Sequence, residues 1–433
     1  MSSVTDATAP PPIGAAHRSR SDPRPAPDRV VVLNDDAVAQ GGAAHLALRQ
    51  IALLRERHVP VTFVAGDAAP PASLRGLDVE YVGLGAARLR DSPAARAAVQ
   101  GIWHRRAGLR IARWIAEHDT PRTAYHVHAW SNILSPAAFA ALGPVAGRTW
   151  LHAHDYFPCC PNGAFYLYPE RRRCALVPLS LACARTRCDK VSRAQKAWRM
   201  ARQATLRATL DPIERFAGVW LLHGRMREPF ERSGYPAASL RVLGNPVPAP
   251  PAERVVAEAN ERLVYVGRLE TEKGVEALLR AARELGLEID VAGEGALGAA
   301  LRAAHPEARF HGWLDAQALA ALVAEARFVL APTLVPEPFG LVLAEALRAG
   351  VPVLVTREAA LADEIVAAGA GLACDPADPV RLRAQLAAVA AMDAGEVSRM
   401  SRAARDWGER ACTSETAWVE ALLEGYRGTW ADR

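Results

Sequence analysis

Glu337 and Glu345 lie in the run Pro332-Thr-Leu-Val-Pro-Glu-Pro-Phe-Gly-Leu-Val-Leu-Ala-Glu-Ala-Leu347, where a strand pattern ends, a polar loop follows and Phe339-Gly340 opens a helix. Carboxylates accept hydrogen bonds from hydroxyl groups, so Glu337 could hold a sugar and Glu345, on the helix, a ribose. Backbone N–H groups at Gly340 and Leu341 stand where a helix N-terminus meets phosphate or sugar oxygens. A helix with one acid favouring its dipole and one solvated acid accounts for the same pair.

Two cations accompany them. Gly267-Arg-Leu-Glu-Thr-Glu-Lys-Gly274 follows the strand-like Leu-Val-Tyr-Val, and sets Arg268 and Lys273 beside a glycine turn and a helix start. That combination suits the paired charges of a diphosphate, although Arg and Lys in a solvated loop look the same. Gly293-Glu-Gly-Ala-Leu-Gly298 fits the G-x-G-x-x-G dinucleotide fingerprint. It sits one strand and helix too late for a first βα unit, and reads as a tight turn lining a nucleotide pocket rather than as proof of NAD.

Four histidines and a cysteine cluster complete the candidates. In Trp150-Leu-His-Ala-His-Asp-Tyr-Phe157 strand alternation puts His152 and His154 on one face, with His126 and His128 similarly spaced upstream. Such pairs read as a metal site, as satisfied core imidazoles or as catalytic groups. Of seven cysteines, Cys159, Cys160, Cys174, Cys183 and Cys188 fall within thirty residues. Cys160, Cys174, Cys183 and Cys188 offer four thiolates to a structural zinc, but no paired C-x-x-C spacing supports it, and structural thiols are the preferred reading.

These residues need elements to position them. At 433 residues the chain exceeds one ordinary core. Strand patterns alternate with helical ones from Arg29 to Leu222, and again from Leu263 to Cys374, which implies parallel sheets covered on both faces. The Pro-rich passage Arg241-Val-Leu-Gly-Asn-Pro-Val-Pro-Ala-Pro-Pro251 reads as the linker between two domains. The expected division is a disordered tail over 1–28, a Rossmann-like domain over 29–245 with a Cys-rich insert at 156–190, a second Rossmann-like domain over 246–410, and a C-terminal helix in 411–433 that packs back on the first. The class is α/β, with two doubly wound domains facing a cleft. A formal charge of +5, from 52 basic and 47 acidic residues, is too mild for a nucleic-acid partner. No apolar run is long enough for a membrane span, so a cytoplasmic or peripheral location is expected. Arg88, Arg90, Arg96, Arg105, Arg106, Arg110 and Arg113 among Trp103 and Trp114 allow peripheral contact with anionic lipid, though a helix packed on the sheet explains the pattern too.

Several ordered matches carry a resemblance. The Glu337-x7-Glu345 spacing within Glu-Pro-Phe-Gly-Leu-Val-Leu-Ala-Glu-Ala-Leu-Arg-Ala-Gly-Val-Pro-Val353, with Gly267-Arg268, Lys273-Gly274, Gly293-Glu-Gly295 and Asn245-Pro-Val247 in their places, resembles glycosyltransferase family 4. The resemblance runs from about Arg29 to Arg427. It implies a GT-B fold, retention at the anomeric carbon, a UDP- or GDP-sugar donor held mainly by the second domain, and no required cofactor or catalytic metal. Arg268 and Lys273 would bind the diphosphate, Glu337 the donor sugar and Glu345 the ribose, with Gly267, Gly293, Gly295, Phe339, Gly340 and Leu341 around the donor. Gln40-Gly41-Gly42 resembles the family's glycine loop, and the strand ending at His154 would place that histidine near the transferred sugar. The Cys-rich segment after His-Asp is similar to that of a bacterial subgroup. Family likeness also implies a glycan or lipid-linked acceptor, in surface polysaccharide or glycolipid biosynthesis. The alternatives are an NAD(P)-dependent oxidoreductase, from the glycine fingerprint, and a non-catalytic sugar-binding relative.

Overall fold

In the computed structural model, residues 25–38 and 41–430 are described. Most of the expected tail, up to residue 24, lies outside them, as does Gln40 of the glycine loop. The chain forms two wholly parallel sheets and one small hairpin. The first sheet contains β1 (Arg29–Asn34), β2 (Val61–Ala65), β3 (Glu80–Gly83), β4 (Thr123–Val127), β5 (Thr149–Ala153), β8 (Gly218–Leu221) and β9 (Leu240–Val242), in the order β3-β2-β1-β4-β5-β8-β9. Between β5 and β8 runs an excursion bearing the antiparallel pair β6 (Tyr166–Leu167) and β7 (Arg172–Arg173). The second sheet contains β10 (Arg262–Val266), β11 (Ile289–Ala292), β12 (Arg309–Gly312), β13 (Ala326–Ala331), β14 (Val353–Thr356) and β15 (Gly371–Cys374), in the order β12-β11-β10-β13-β14-β15. This is the two-Rossmann GT-B architecture.

The strand sequences explain the burial. β1 reads Arg-Val-Val-Val-Leu-Asn and is buried at five of its six positions, because helices cover both faces of a parallel sheet and no polar alternation is tolerated. Each sheet reverses its strand order at one place, between β1 and β4 in the first and between β10 and β13 in the second. Loops leaving the carboxyl ends of those neighbours diverge to opposite faces and leave a crevice, where ligands of doubly wound sheets bind. The loops after β10 and β13 are those that carry Arg268, Lys273 and Glu337.

Helix Glu415–Gly428 lies against helix Gly42–Glu56 of the first sheet. Trp418, Val419, Leu422, Leu423 and Tyr426 enter a core that also contains Val30, Val32, Ala47, Ile51, Trp150 and Trp220. Each such large apolar side chain contributes roughly 1.5–3 kcal/mol on full burial. Ion pairs Arg49–Glu415 and Arg57–Glu420, the latter at 2.7 Å, flank the apolar face.

One element departs from expectation. Leu240–Val242, read from the sequence as the approach to a linker, pairs in parallel with β8 as an edge strand. Three residues are too few to display a period of two, and only pairing reveals them.

Candidate active site

At the switch point of the second sheet the loops after β10, β11 and β13 are stacked backbone against backbone. A Cβ on Gly293, whose φ is 136°, would lie 1.9 Å from the carbonyl oxygen of Gly267. On Gly274, at φ 70°, it would lie 1.8 Å from that of Pro332. Gly295 meets Leu269 in the same way, at 2.5 Å. Gly293 and Gly295 of the dinucleotide-like fingerprint are therefore required by contact between neighbouring loops, whereas a Cβ on Gly298 would meet only side-chain ends of Arg302 and Leu269. Such contact needs no NAD.

The stacking brings Lys273 to Glu337. Their Nζ and Oε2 atoms are 2.5 Å apart, both side chains about a quarter exposed. The Glu337 loop is pinned from behind, its carbonyl oxygen accepting from the Ala360 N–H at 2.9 Å. Arg268 does not join this pair. Its guanidinium donates to both carboxylate oxygens of Glu270 at 2.8 Å and is 60% exposed, so a diphosphate would have to draw it away from Glu270.

Gly340, at φ 83°, caps helix Leu341–Ala349 without any side-chain cap, which leaves first-turn N–H groups available to an anion. Phe339 is buried in a core shared with Tyr156, Phe165 and Phe230, so the Glu337 loop is anchored in apolar contacts of the first-sheet half. Glu345, one turn into the helix and half-buried, makes no hydrogen bond or ion pair among the described residues. Desolvation by the surrounding protein pushes its carboxyl up to about 7. A largely desolvated carboxyl without a protein partner is costly, and it leaves its acceptor oxygens open to a ligand.

Across the cleft, the loop after β1 is tied to the loop after β4 by Asp35, which accepts backbone N–H bonds from Asn132, Ile133 and Leu134 at 2.8 Å. Burial holds its carboxyl at about 6. Gly41, at φ 100°, and Gly42 open helix Gly42–Glu56, and a Cβ on either would meet nothing within 4 Å. The space over them is open, as approach by a ligand requires.

The four histidines form one connected cluster. His154 Nε2 lies 2.9 Å from His128 Nδ1, His128 Nε2 lies 2.5 Å from Gln50 Oε1, and Gln50 Nε2 donates to the Tyr426 hydroxyl at 2.7 Å. From Tyr426 the chain continues to His126 Nδ1 at 2.6 Å and from His126 Nε2 to His152 Nδ1 at 3.1 Å. His126, His128 and His152 are fully buried, whereas His154 retains some exposure. Burial keeps all four imidazoles neutral, taking His154 down to about 3 and the others well below their usual range.

Potential ligand atoms of His126, His128 and His152 come within 4.8 Å of one another, the closest approach to a metal site among the described residues. The ring geometry opposes it. An imidazole binds an ion through a lone pair in the plane of its ring, and His128 stacks on His126 and on His152 with interplanar angles of 23° and 13°. Rings stacked face to face cannot both hold one ion in their planes at about 2 Å.

No three of Cys160, Cys174, Cys183 and Cys188 bring their sulfurs together within ligand reach among the described residues. Cys160 donates to Asn162 Oδ1 at 3.1 Å, with burial pushing its thiol up to about 11. The insert meets the second-sheet half through Arg173–Glu358 and through Lys190–Glu272 at 2.7 Å. Between the halves lies a cavity of 180 Å³, walled by Tyr156, Arg173, Arg225, Arg232, Glu337 and Glu358. A larger cavity, of 510 Å³, lies under the insert around Arg187, Cys188 and Lys196, and contains none of the carboxylates or histidines.

Sequence reasoning missed Gln50, Tyr426 and Asp35. Gln50 had a signal: it is a polar residue at a buried position of helix Gly42–Glu56, between Ala47 and Ile51. Tyr426 stands in phase with Leu422 and Leu423 and reads as plain core.

Residues 260–391 match the family described as Glycosyl transferases group 1, a span holding every second-sheet candidate named above. Glycogen synthase of Mycobacterium tuberculosis, from strains CDC 1551 and H37Rv, is 33% identical over 216 residues, 44% of this chain and 50% of that one. The chain thus spans about half the length of the curated relatives it matches. Solved structures share the whole fold. Sucrose-phosphate synthase from Thermosynechococcus elongatus superposes with a TM-score of 0.69 at 16% identity, covering 94% of this chain and 100% of its own. WaaG, a glycosyltransferase involved in lipopolysaccharide biosynthesis, gives 0.63 at 15% identity over 91% and 98%. Anabaena HepE, solved in complex with UDP, gives 0.59 at 17% identity over 92% and 98%.

Proposed function

We propose that this chain is a glycosyltransferase that takes a sugar from a nucleotide diphosphate sugar, UDP- or GDP-linked, and passes it with retention to a glycan or lipid-linked acceptor. The observation that carries the reading is the pairing of Lys273 with Glu337 at the switch point, beside a half-buried Glu345 that has no partner among the described residues. A diphosphate takes Lys273 from Glu337 and draws in Arg268. Glu337, released, accepts from hydroxyls of the donor sugar, and Glu345 from the ribose. The uncapped helix start at Gly340 and Leu341 adds backbone N–H groups to the donor pocket. As the bond to the leaving diphosphate breaks, its growing charge is met by groups already in place, which is the usual source of most of the rate. No side chain need become covalently bound, and no metal is assigned a role.

Residues 29–245 form the acceptor side in this reading and 246–410 the donor side, with Gly41 and Gly42 letting backbone approach the donor phosphates. Surface polysaccharide or glycolipid synthesis is the pathway class proposed. No helix among the described residues is long and apolar enough to cross a membrane. Exposed Val99, Trp103 and Leu109 near Arg106 and Arg110 favour peripheral contact at a cytoplasmic membrane face, which co-sedimentation with anionic liposomes at low salt would test.

Thermal shift against UDP-sugars, GDP-sugars and NAD(P)H tests the assignment, because a ligand of the folded state raises the melting temperature. Stabilisation by one nucleotide sugar, weakened in Arg268→Ala and Glu345→Ala, is expected. Stabilisation by NAD(P)H alone would make the chain an oxidoreductase, and function that survived loss of Glu337 would make it a non-catalytic sugar binder.

A further inference from the structure

Gln50 and Tyr426 touch no candidate ligand group, yet both are inserted into the histidine cluster that reaches the cleft at His154. Two arms leave the Gln50 amide. One runs from its Oε1 through His128 to His154, and the other from its Nε2 through the Tyr426 hydroxyl to His126 and His152.

A neutral imidazole has one N–H and one bare nitrogen, so each bond in such a chain dictates the next. With Gln50 Oε1 as acceptor, His128 carries its proton on Nε2 and offers a bare Nδ1. His154 must then donate from Nε2, which leaves its Nδ1 as an unprotonated acceptor. On the other arm Tyr426 accepts from the amide and donates to His126 Nδ1, so His126 donates from Nε2 to His152 Nδ1. That arm ends at His152 Nε2, which is buried without a partner. Turning the amide over reverses every bond and moves the outer proton of His154 to Nδ1. Only two proton arrangements exist, and one side chain selects between them.

We propose that Gln50 and Tyr426 are positioning residues that hold His154 as the neutral Nε2–H tautomer, with Nδ1 free to accept a hydroxyl of the bound sugar. Helix Glu415–Gly428, which returns from the second-sheet half, thereby forms part of the cleft's chemistry through Tyr426 as well as part of the core. His154 Nδ1 makes no hydrogen bond among the described residues, and His154 alone of the four rings is not fully buried, so the free lone pair belongs to the ring that a ligand can reach. Well-packed neighbours hold the remaining rings against rotation, as in the parallel stack of His152 on His154 at 4.7 Å and 2°.

The role of the sugar hydroxyl rests on the transferase reading, but the tautomer does not. Selective ¹⁵N-histidine labelling of the full chain, read through two-bond ¹H–¹⁵N correlations without ligand, reports which nitrogen of each ring is protonated. Wild type is expected to show His154 as a single Nε2–H tautomer, with Gln50→Leu and Tyr426→Phe each giving a mixture. With the donor identified by thermal shift, both variants should lower kcat about tenfold while leaving donor affinity within twofold, the scale of losing one oriented hydrogen bond. Tyr426→Phe preserves the buried ring and keeps the test open if Gln50→Leu fails to fold. A His154 protonated on Nδ1 in wild type, or a tautomer indifferent to both substitutions, would overturn the proposal. Tautomers that respond in a protein that transfers no sugar would instead overturn the functional reading and leave the network standing.

Discussion

The two sides of the cleft satisfy their polar groups in opposite ways. On the first-sheet side, four histidines, Gln50 and Tyr426 are bound to one another inside the core, which leaves His152 Nε2 buried without a partner and the outer edge of His154 partly exposed. On the second-sheet side, the charged groups lie in loops and on one helix, paired in an exchangeable manner or not at all: Lys273 with Glu337, Arg268 with Glu270, and Glu345 with no partner among the described residues. The first arrangement is suited to holding one geometry, since a buried network is costly to leave half-made. The second is suited to exchanging protein partners for a charged ligand. A cleft that must orient a reacting group on one side and release a diphosphate on the other needs both.

The largest effect expected is on the exchangeable side. Glu337→Gln should reduce transfer by a factor on the order of 10²–10³ while the nucleotide still binds, the scale of removing one preorganised group from a charged transition state. Equal activity in the variant would show that the Lys273 pair is merely structural.

Acid should unfold the network side first. The imidazoles have folded pKa values depressed from 6.5, to about 3 at His154, so the folded state binds fewer protons than the unfolded chain. Their contribution is whole above about pH 6.5 and is lost as pH falls toward 3. A denaturant midpoint that drops steeply between pH 6.5 and 4 in wild type, and less in His126→Phe, would check this.

Glu345 predicts the opposite slope. Its folded pKa is raised from 4.5 to about 7, so stability is fullest below 4.5 and declines as pH rises through 7. The difference corresponds to about 3 kcal/mol. Glu345→Gln should therefore raise the melting temperature of the ligand-free protein at pH 8, leave it unchanged at pH 4, and weaken nucleotide binding at both. A variant no more stable than wild type at pH 8 would mean that the carboxyl is solvated.

The smallest expected change separates the glycines. Gly42→Ala, with open space around it, should alter stability by less than about 0.5 kcal/mol. Gly293→Ala, which drives a methyl into the Gly267 carbonyl, should cost more than about 2 kcal/mol by denaturant melting. Similar costs at both positions would contradict the loop stacking.

The sequence determined the alternation of strands and helices, because strands such as β1 must be largely apolar to lie in a parallel sheet and the helices between them must carry one apolar stripe. It also determined the second-sheet candidates. Arg268, Lys273, Glu337 and Glu345 lie in two loop-and-helix units of a few residues, and local patterns suffice to place them after a strand and before a helix. Only the tertiary structure decided the rest. Strand order, which creates the crevice, depends on pairings between segments far apart in sequence. Ring stacking turns His126, His128 and His152 away from shared in-plane coordination, and Cys160 of the insert donates to Asn162. Gln50 and Tyr426 meet across 376 positions of sequence, and no local period could have joined them. Charge and hydrophobic period act over a few residues along the chain, whereas a buried hydrogen bond is set by whichever side chains the completed core brings within 3 Å.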